Sequence, residues 1–317
     1  MDGVRIDDLI DRQRLRRKLG FWRILTFLAA IGCVMLVTLL LLDPETFGQT
    51  SRPHVAHVKI AATITEDEDL LDRLDRIKSS QNVKGVIISV DSPGGTTAGG
   101  EAIYEAIREV ADEKPTVTQV GTLAASAGYM VSVAADHIVA RQSSIIGSIG
   151  VIFQYPNIEE LLTNWGIDMR SVKSTPLKAE PNFYGETPVG AEQMIEAMIL
   201  DSFDWFKGIV AERRGFDQAT IARLADGSVF TGRQALELEM IDQLGGLDEA
   251  RDWLTSQGLD EDLDLVVYER EDTRTGSLFL QSVAHAIGFN TEHGFAGRIQ
   301  ERVFLDGLLS IWHGGDN

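Results

Sequence analysis

Gly121-Thr122-Leu123-Ala124-Ala125-Ser126-Ala127-Gly128-Tyr129-Met130 joins a strand-like run, Pro115 to Val120, to a helix-like segment, Ala127 to Ala135. Ser126 stands at the junction, at a helix N-terminus, where unpaired backbone N–H groups point outward and favour developing negative charge. Its neighbours are all small, so a second backbone can approach closely. An ordinary helix start packed tightly on a sheet would use the same residues, and the segments on either side have to decide.

Those segments alternate. Val55 to Ile64 reads as a strand and Glu66 to Ser79 as a helix with Leu70, Leu71, Leu74 and Ile77 on one face. Val86 to Val90 is a short buried strand ending in Asp91-Ser92-Pro93-Gly94-Gly95; Ala98 to Val110 is helical, and His137 to Ala140 is a strand. Repeated strand–helix alternation predicts an α/β fold of parallel βαβ units, with ligands beyond the carboxyl ends of the strands. Gly94-Gly95 and Ser126 both fall at such ends and are expected to face one crevice. Further on, a helix is predicted over Asn157–Trp165, a strand over Asp168–Val172 and an irregular loop over Ser174–Glu186. Thr187-Pro188 reads as the cap and first turn of a long helix. That helix carries Met194, Met198, Phe206, Ile209 and Val210 at helical spacing, a stripe for core or subunit contact. Leu263 to Tyr268 is a last strand.

The formal net charge is −19, against the basic face that nucleic-acid binding requires. The single cysteine, Cys33, lies in an apolar run, which leaves the folded part without disulfide or thiolate metal site, and the six histidines have no metal-ligand spacing. No cofactor is implied. Leu25 to Leu42 carries no charge and spans about 27 Å as a helix at about 1.5 Å per residue, enough to cross a bilayer. Seven Lys/Arg and four Asp/Glu precede Asp43, a net of +3 that leaves −22 for the rest. Positive charge before the span predicts a cytoplasmic N-terminus and an exported body. The expected organisation is a cytoplasmic segment (1–20), an anchor (21–42), a tether (43–54), a catalytic domain (55–270) and a C-terminal extension of open role (271–317). A cleaved signal peptide is the competing reading; the apolar run is long for one and no small-x-small site follows it.

A serine hydroxyl needs a base. His137 leads into a predicted strand and reads as a packed or hydrogen-bonded residue, with Asp136 beside it a turn residue. A lysine works only where desolvation leaves it neutral. Three lysines follow Ser126: Lys207, flanked by Asp204 and Glu212 as an ion-pairing helix residue; Lys173, at the end of the predicted strand and plausibly exposed; and Lys178, between prolines where burial is plausible. An ordinary surface-loop lysine is the alternative for Lys178. The N–H groups of Gly94, Gly95 and Ala127 could form an oxyanion hole, although a type II turn after Pro93 would use the same glycines.

Asp91-Ser92-Pro93-Gly94-Gly95, Ala124-Ala125-Ser126-Ala127-Gly128-Tyr129, Gly147-Ser148-Ile149-Gly150-Val151 and Lys173-Ser174 followed by Lys178 occur in one order. Together with Phe230-Thr231-Gly232-Arg233-Gln234-Ala235, Ile241-Asp242 and Gly245-Gly246, they resemble the S49 family of serine proteases in its short, single-repeat, signal-peptide-peptidase form. The resemblance covers about residues 55–270 and implies a ClpP/crotonase-like fold with a Ser–Lys dyad. By it Ser126 is the nucleophile and Lys178 the general base. Ser148 hydrogen-bonds the lysine, and Gly94 or Gly95 with Ala127 binds the oxyanion. It further implies a homo-oligomer of dome shape, of octamer size, whose serine and lysine come from adjacent subunits. Its location would be the bacterial inner membrane, with the catalytic side outward. Remnant signal peptides, which are apolar, would be the substrates. A quality-control protease acting on membrane proteins and an inactive crotonase-like scaffold that binds peptides are the alternatives. The family pattern has Ser-Gly-Gly at the nucleophile, where this chain has Ser126-Ala127-Gly128; alanine keeps the backbone N–H.

Overall fold

The computed structural model describes residues 20–34 and 51–269, and the backbone of 309–311. The chain divides into two compact units, residues 1–52 and 53–317. In the first, residues 20–34 form a helix (α1) with Phe21, Trp22 and Phe27 exposed. Residues 35–42 of the expected anchor lie outside the described residues, as do residues 1–19 and most of the tether. Among the described residues no helix is long and apolar enough to cross a membrane.

The second unit is a mixed α/β body around a mostly parallel sheet. β1 (His54–Ala61) and β2 (Val83–Ser92) pair in parallel, and β2 pairs with β4 (Thr116–Ala125). β9 (Asp264–Val267) adds in parallel to the outer edge of β1, where the sequence placed its last strand. The strands are apolar nearly throughout because both faces are covered. Ala56, Val58, Ile60, Val86, Ile88 and Val90 face one core, under α2 (Glu68–Ser79), α3 (Thr97–Ala111) and α4 (Ala127–Ser132). Val55, Ile87, Val117 and Val139 face the other, under α9 (Leu247–Ser256) with its Ala250 and Leu254. Capping sets the starts of α2 and α3: Asp67 accepts from the Leu70 N–H (3.3 Å) and Thr96 from the Gly99 N–H (3.1 Å).

β4 is the strand on which the site depends, and it forks. Its first half pairs with β5 (His137–Ala140) through Val117–Val120, and its second with β6 (Ile145–Gly147) through Leu123–Ala125. The strand therefore runs five residues past the apolar run that announced it, because β6 supplies partners for Leu123, Ala124 and Ala125. β6 is closed by antiparallel β7 (Val229–Thr231), and β5 by the short β8 (Gln243–Leu244). α8 (Gly232–Glu237) follows β7 through a capping box between Thr231 and Gln234.

Three sequence expectations are corrected. Asp168–Val172 is irregular and exposed, since no sheet edge lies alongside it. Within the segment predicted over Asn157–Trp165, the helix is α5 (Glu159–Asn164). The long helix, α6 (Ala191–Arg214), starts after Gly190, which is left-handed (φ 96°), so Thr187 does not cap it. Phe206, Ile209 and Val210 of α6 enter the core, while Met198 and Leu200 remain exposed. α7 (Gln218–Leu224) follows, capped by Asp217.

Candidate active site

Ser126 caps α4 with φ 56° and ψ −120°, a backbone shape rarely held by a residue with a side chain. The surroundings over-determine it. The Ser126 N–H donates to the Gly147 carbonyl (2.8 Å), and its own carbonyl accepts from the Tyr129 and Met130 N–H groups (2.9 Å each). The far end of α4 is tied as well: Arg213 donates to the Val133 and Ala135 carbonyls (3.0 and 2.9 Å) and Arg108 to the Ala134 carbonyl (2.7 Å). Inside α4, the buried Tyr129 hydroxyl donates to the Met240 carbonyl (2.9 Å), and burial pushes that phenol's pKa well up. A Cβ on Gly128 would lie 2.7 Å from the Ser92 carbonyl oxygen, so glycine lets α4 sit against the end of β2.

The sheet brings three of the expected elements together. β4 and β6 pair Ala125 with Gly147, so Ser126 and Ser148 leave adjacent strands side by side. Ser148 is left-handed (φ 53°), and its N–H donates to the Ser228 carbonyl (2.7 Å). At the end of β2, Gly94–Thr96 forms a short strand (β3) in contact with α4, instead of a plain turn after Pro93. Gly94 has φ 112°, and its N–H donates to Ser92 Oγ (3.1 Å), which in turn donates to the Ala62 carbonyl (2.6 Å). The Ile64 N–H donates to the Gly94 carbonyl (2.8 Å), and the Thr96 N–H donates to the Ile64 carbonyl (2.9 Å). A Cβ on Gly95 would lie 1.7 Å from that Ile64 oxygen. On its other side β3 carries β10 (Leu309–Ile311) in antiparallel register, Ser310 opposite Gly95. Part of the C-terminal extension is therefore a strand laid on β3.

The lysines separate. Lys207 pairs with Asp204 (2.7 Å) and lies over the Phe203 ring (4.4 Å), the ion-pairing part the sequence assigned it. Lys173 is neither at a strand end nor exposed. Its ammonium is held by the carboxylate of Glu180, whose side chain is 2% exposed. The hydrogen bond from Lys173 holds Glu180 below the usual carboxylate range. Lys178 lies in the loop between them, its N–H donating to the Thr175 carbonyl (3.2 Å), and in the single chain it is exposed rather than buried. His137 aligns with Val117, at the opposite end of β4 and roughly 30 Å from Ser126 at about 3.3 Å per residue. It stacks on Trp253 (5.0 Å) and lies 3.3 Å from Gln243 Oε1, a packed residue as read from sequence. Asp136 accepts from the Thr116 N–H (3.1 Å) and belongs to the frame. Among the described residues no cluster suits a metal ion. Sequence reasoning missed Ser92, Glu180 and the two arginines behind α4; none stands in a periodic pattern, and each acts through a partner distant in the chain or in an irregular loop.

The pattern of peptidase family S49 matches residues 108–259, and that of Clp protease residues 56–146. A Synechocystis protein named as a candidate protease is 32% identical over 219 residues, covering 68% of this chain and 79% of its own. A candidate signal peptide peptidase SppA of Enterococcus faecium is 31% identical over 220 residues, covering 67% of this chain and 62% of its own. Protease 4 of Haemophilus influenzae is 30% identical over 206 residues, 62% of this chain but only 33% of that longer protein. A serine raised on a strained turn where a parallel strand meets a helix, within a body of this likeness, leads to one conclusion: the chain belongs to peptidase family S49 and is a serine peptidase.

Proposed function

We propose that the protein is a membrane-anchored endopeptidase that hydrolyses apolar peptides, remnant signal peptides first among them, with a Ser126–Lys178 dyad completed between subunits. The observation that carries this reading is the convergence of Ser126, Ser148 and β3 at one end of the sheet. Ser126 Oγ attacks the scissile carbonyl while the Lys178 amine takes its proton, and Ser148 orients that amine. The resulting oxyanion is met by the Ala127 N–H and by β3. Because the Gly94 N–H is engaged with Ser92, Gly95 is the donor on that strand. An extended peptide adds to β3 by backbone pairing, a mode that the chain's own β10 adopts in antiparallel sense.

Exposure of Lys178 in one chain fits a base delivered to a neighbour's serine. The arm bearing it, residues 152–190, exposes Trp165, Met169, Val172, Phe183 and Val189, apolar surface suited to contact between copies. The uncharged run over residues 25–42 supports the anchor, with the peptidase body on the outer side of the inner membrane.

Mixed assembly tests the dyad and its sharing together. Ser126→Ala and Lys178→Ala chains are each expected to lose peptide cleavage, with fluorophosphonate labelling lost in the first. Refolded together, the two dead chains regain part of the wild-type rate, since some interfaces then pair an intact serine with an intact lysine. Full activity of Lys178→Ala removes the lysine from the mechanism. Absence of recovery in verified mixed oligomers places both groups in one subunit. Retained labelling of Ser126→Ala would point to a different nucleophile, and no labelling of the wild type to the peptide-binding scaffold.

A further inference from the structure

Residues 152–190 form an arm that is open to solvent along almost its whole length, and within it a single residue is buried: Glu180. An acidic side chain is the least expected occupant of such a place, because withdrawing a carboxylate from water costs free energy unless donors replace the water. Here the donors come from the arm itself. Lys173 Nζ holds one oxygen, the Asn182 N–H the other (2.9 Å), and Asn182 Nδ2 reaches both (2.9 Å each). Lys173 is the charged partner of this carboxylate, and the Asn182 donors beside it are neutral. Nearby, Arg170 is occupied by Asp168 (2.7 Å).

The contact closes a loop from residue 173 to residue 180, and Lys178 lies inside it. Two tight turns shape the loop, with the Lys178 N–H on the Thr175 carbonyl (3.2 Å) and the Glu180 N–H on the Leu177 carbonyl (3.3 Å). Ala179, between Lys178 and the buried carboxylate, is forced into the left-handed region (φ 60°). Beyond the clasp, the Phe183 carbonyl accepts from the Ile158 N–H (2.8 Å), which ties the loop to the start of α5. The loop bearing the proposed base is thus closed by the Lys173–Glu180 contact and tied to α5.

We propose that Lys173 and Glu180 are positioning residues, an ion-pair clasp that presents the Lys178 amine at a fixed place and keeps the Glu180 carboxylate from pairing with it. This rests on Lys178 being the base. The clasp does two jobs for a proton acceptor. It removes the loop's conformational freedom before substrate arrives. It also neutralises a carboxylate two residues away, which otherwise would stabilise the protonated amine and raise the pH at which the base becomes available.

The test uses the full-length oligomer, a fluorogenic apolar peptide, and kcat, KM and the acid limb of the pH profile for each variant. Lys173→Met leaves Glu180 without its cation. It is expected to lower kcat about 10- to 100-fold with little change in KM, and to move the acid limb to higher pH by roughly half a unit or more. Glu180→Gln removes the carboxylate and frees an ammonium instead; kcat falls similarly, but the limb moves to lower pH or stays. The reversed pair, Lys173→Glu with Glu180→Lys, regains at least part of the kcat lost by either single change. Opposite limb movements with rescue establish the clasp. Equal losses with no limb movement and no rescue reduce it to a fold contact and overturn the proposal, as do wild-type kinetics in both single variants. Lys178→Ala, assayed in parallel, separates the two readings: if it is active, the dyad itself fails; if it is dead while the clasp variants are normal, only the clasp fails.

Discussion

Gly95 is a place where one missing methyl group decides what a strand can do. Its Cβ would overlap the Ile64 carbonyl oxygen, so any side chain must push β3 away from residue 64. Gly95→Ala is therefore expected to cut kcat by about 100-fold, comparable to losing an oxyanion donor, while circular dichroism of the sheet is unchanged. Gly208→Ala is the control: nothing lies within 4 Å of the added carbon in the middle of α6, and the helix gains up to about 1 kcal/mol with activity intact. Wild-type turnover in Gly95→Ala would take β3 out of the oxyanion site. Gly94 and Gly95 were legible as oxyanion donors or as a turn after Pro93, but the close packing of Gly95 against Ile64 was not. That contact links residues 31 positions apart through a parallel bridge, and no local pattern encodes it. Ser126 was legible for the opposite reason. Its strand, its small neighbours and its helix are consecutive in the chain.

Elements read well wherever burial alone set the pattern and poorly wherever a neighbour did. β1, β2 and the helices α2 and α3 are amphipathic or apolar by themselves and stood out; the second half of β4 exists because β6 lies beside it, and Asp168–Val172 has no such neighbour. One polar row crosses the buried face under α9. His57 Nε2 lies 2.8 Å from Ser89 Oγ, which donates to Gln119 Oε1 (3.0 Å). Burial, with the charge of Lys59 adding to it, lowers the His57 pKa from its ordinary value near 6.5. The neutral ring belongs to the folded state, so its contribution is complete above about pH 6.5 and is lost as pH falls from there through the lowered value, where the unfolded chain takes up the proton first. The depressed carboxylates Asp217, Asp226 and Glu249 act in the same sense, but only below their ordinary values near 4. His57→Gln should therefore flatten the fall in Tm between pH 7 and pH 5 while leaving the steeper loss below pH 4. An unchanged slope between 7 and 5 would assign that loss to another group.

At the scale of the whole molecule, β10 occupies the edge of β3 to which the proposed mechanism adds a substrate. β10 runs antiparallel on β3 with Leu309, Ser310 and Ile311 opposite Thr96, Gly95 and Gly94, so under the proposed mechanism a peptide would compete with β10 for one row of backbone groups. Among the described residues three pairs hold the strand, and at about 0.5–1.5 kcal/mol per net hydrogen bond that obstruction would be modest and reversible. Prolines at 309, 310 and 311 of the full chain remove every N–H that β10 could donate. They are expected to raise kcat/KM for a short apolar peptide about two- to tenfold, mainly through KM, without altering fluorophosphonate labelling at saturation. A long substrate, with more residues to pair along β3, should gain less than a short one. Equal kcat/KM for wild-type and proline chains on the short peptide would mean that β10 leaves the strand before chemistry begins, and the extension would then have no part in setting the rate.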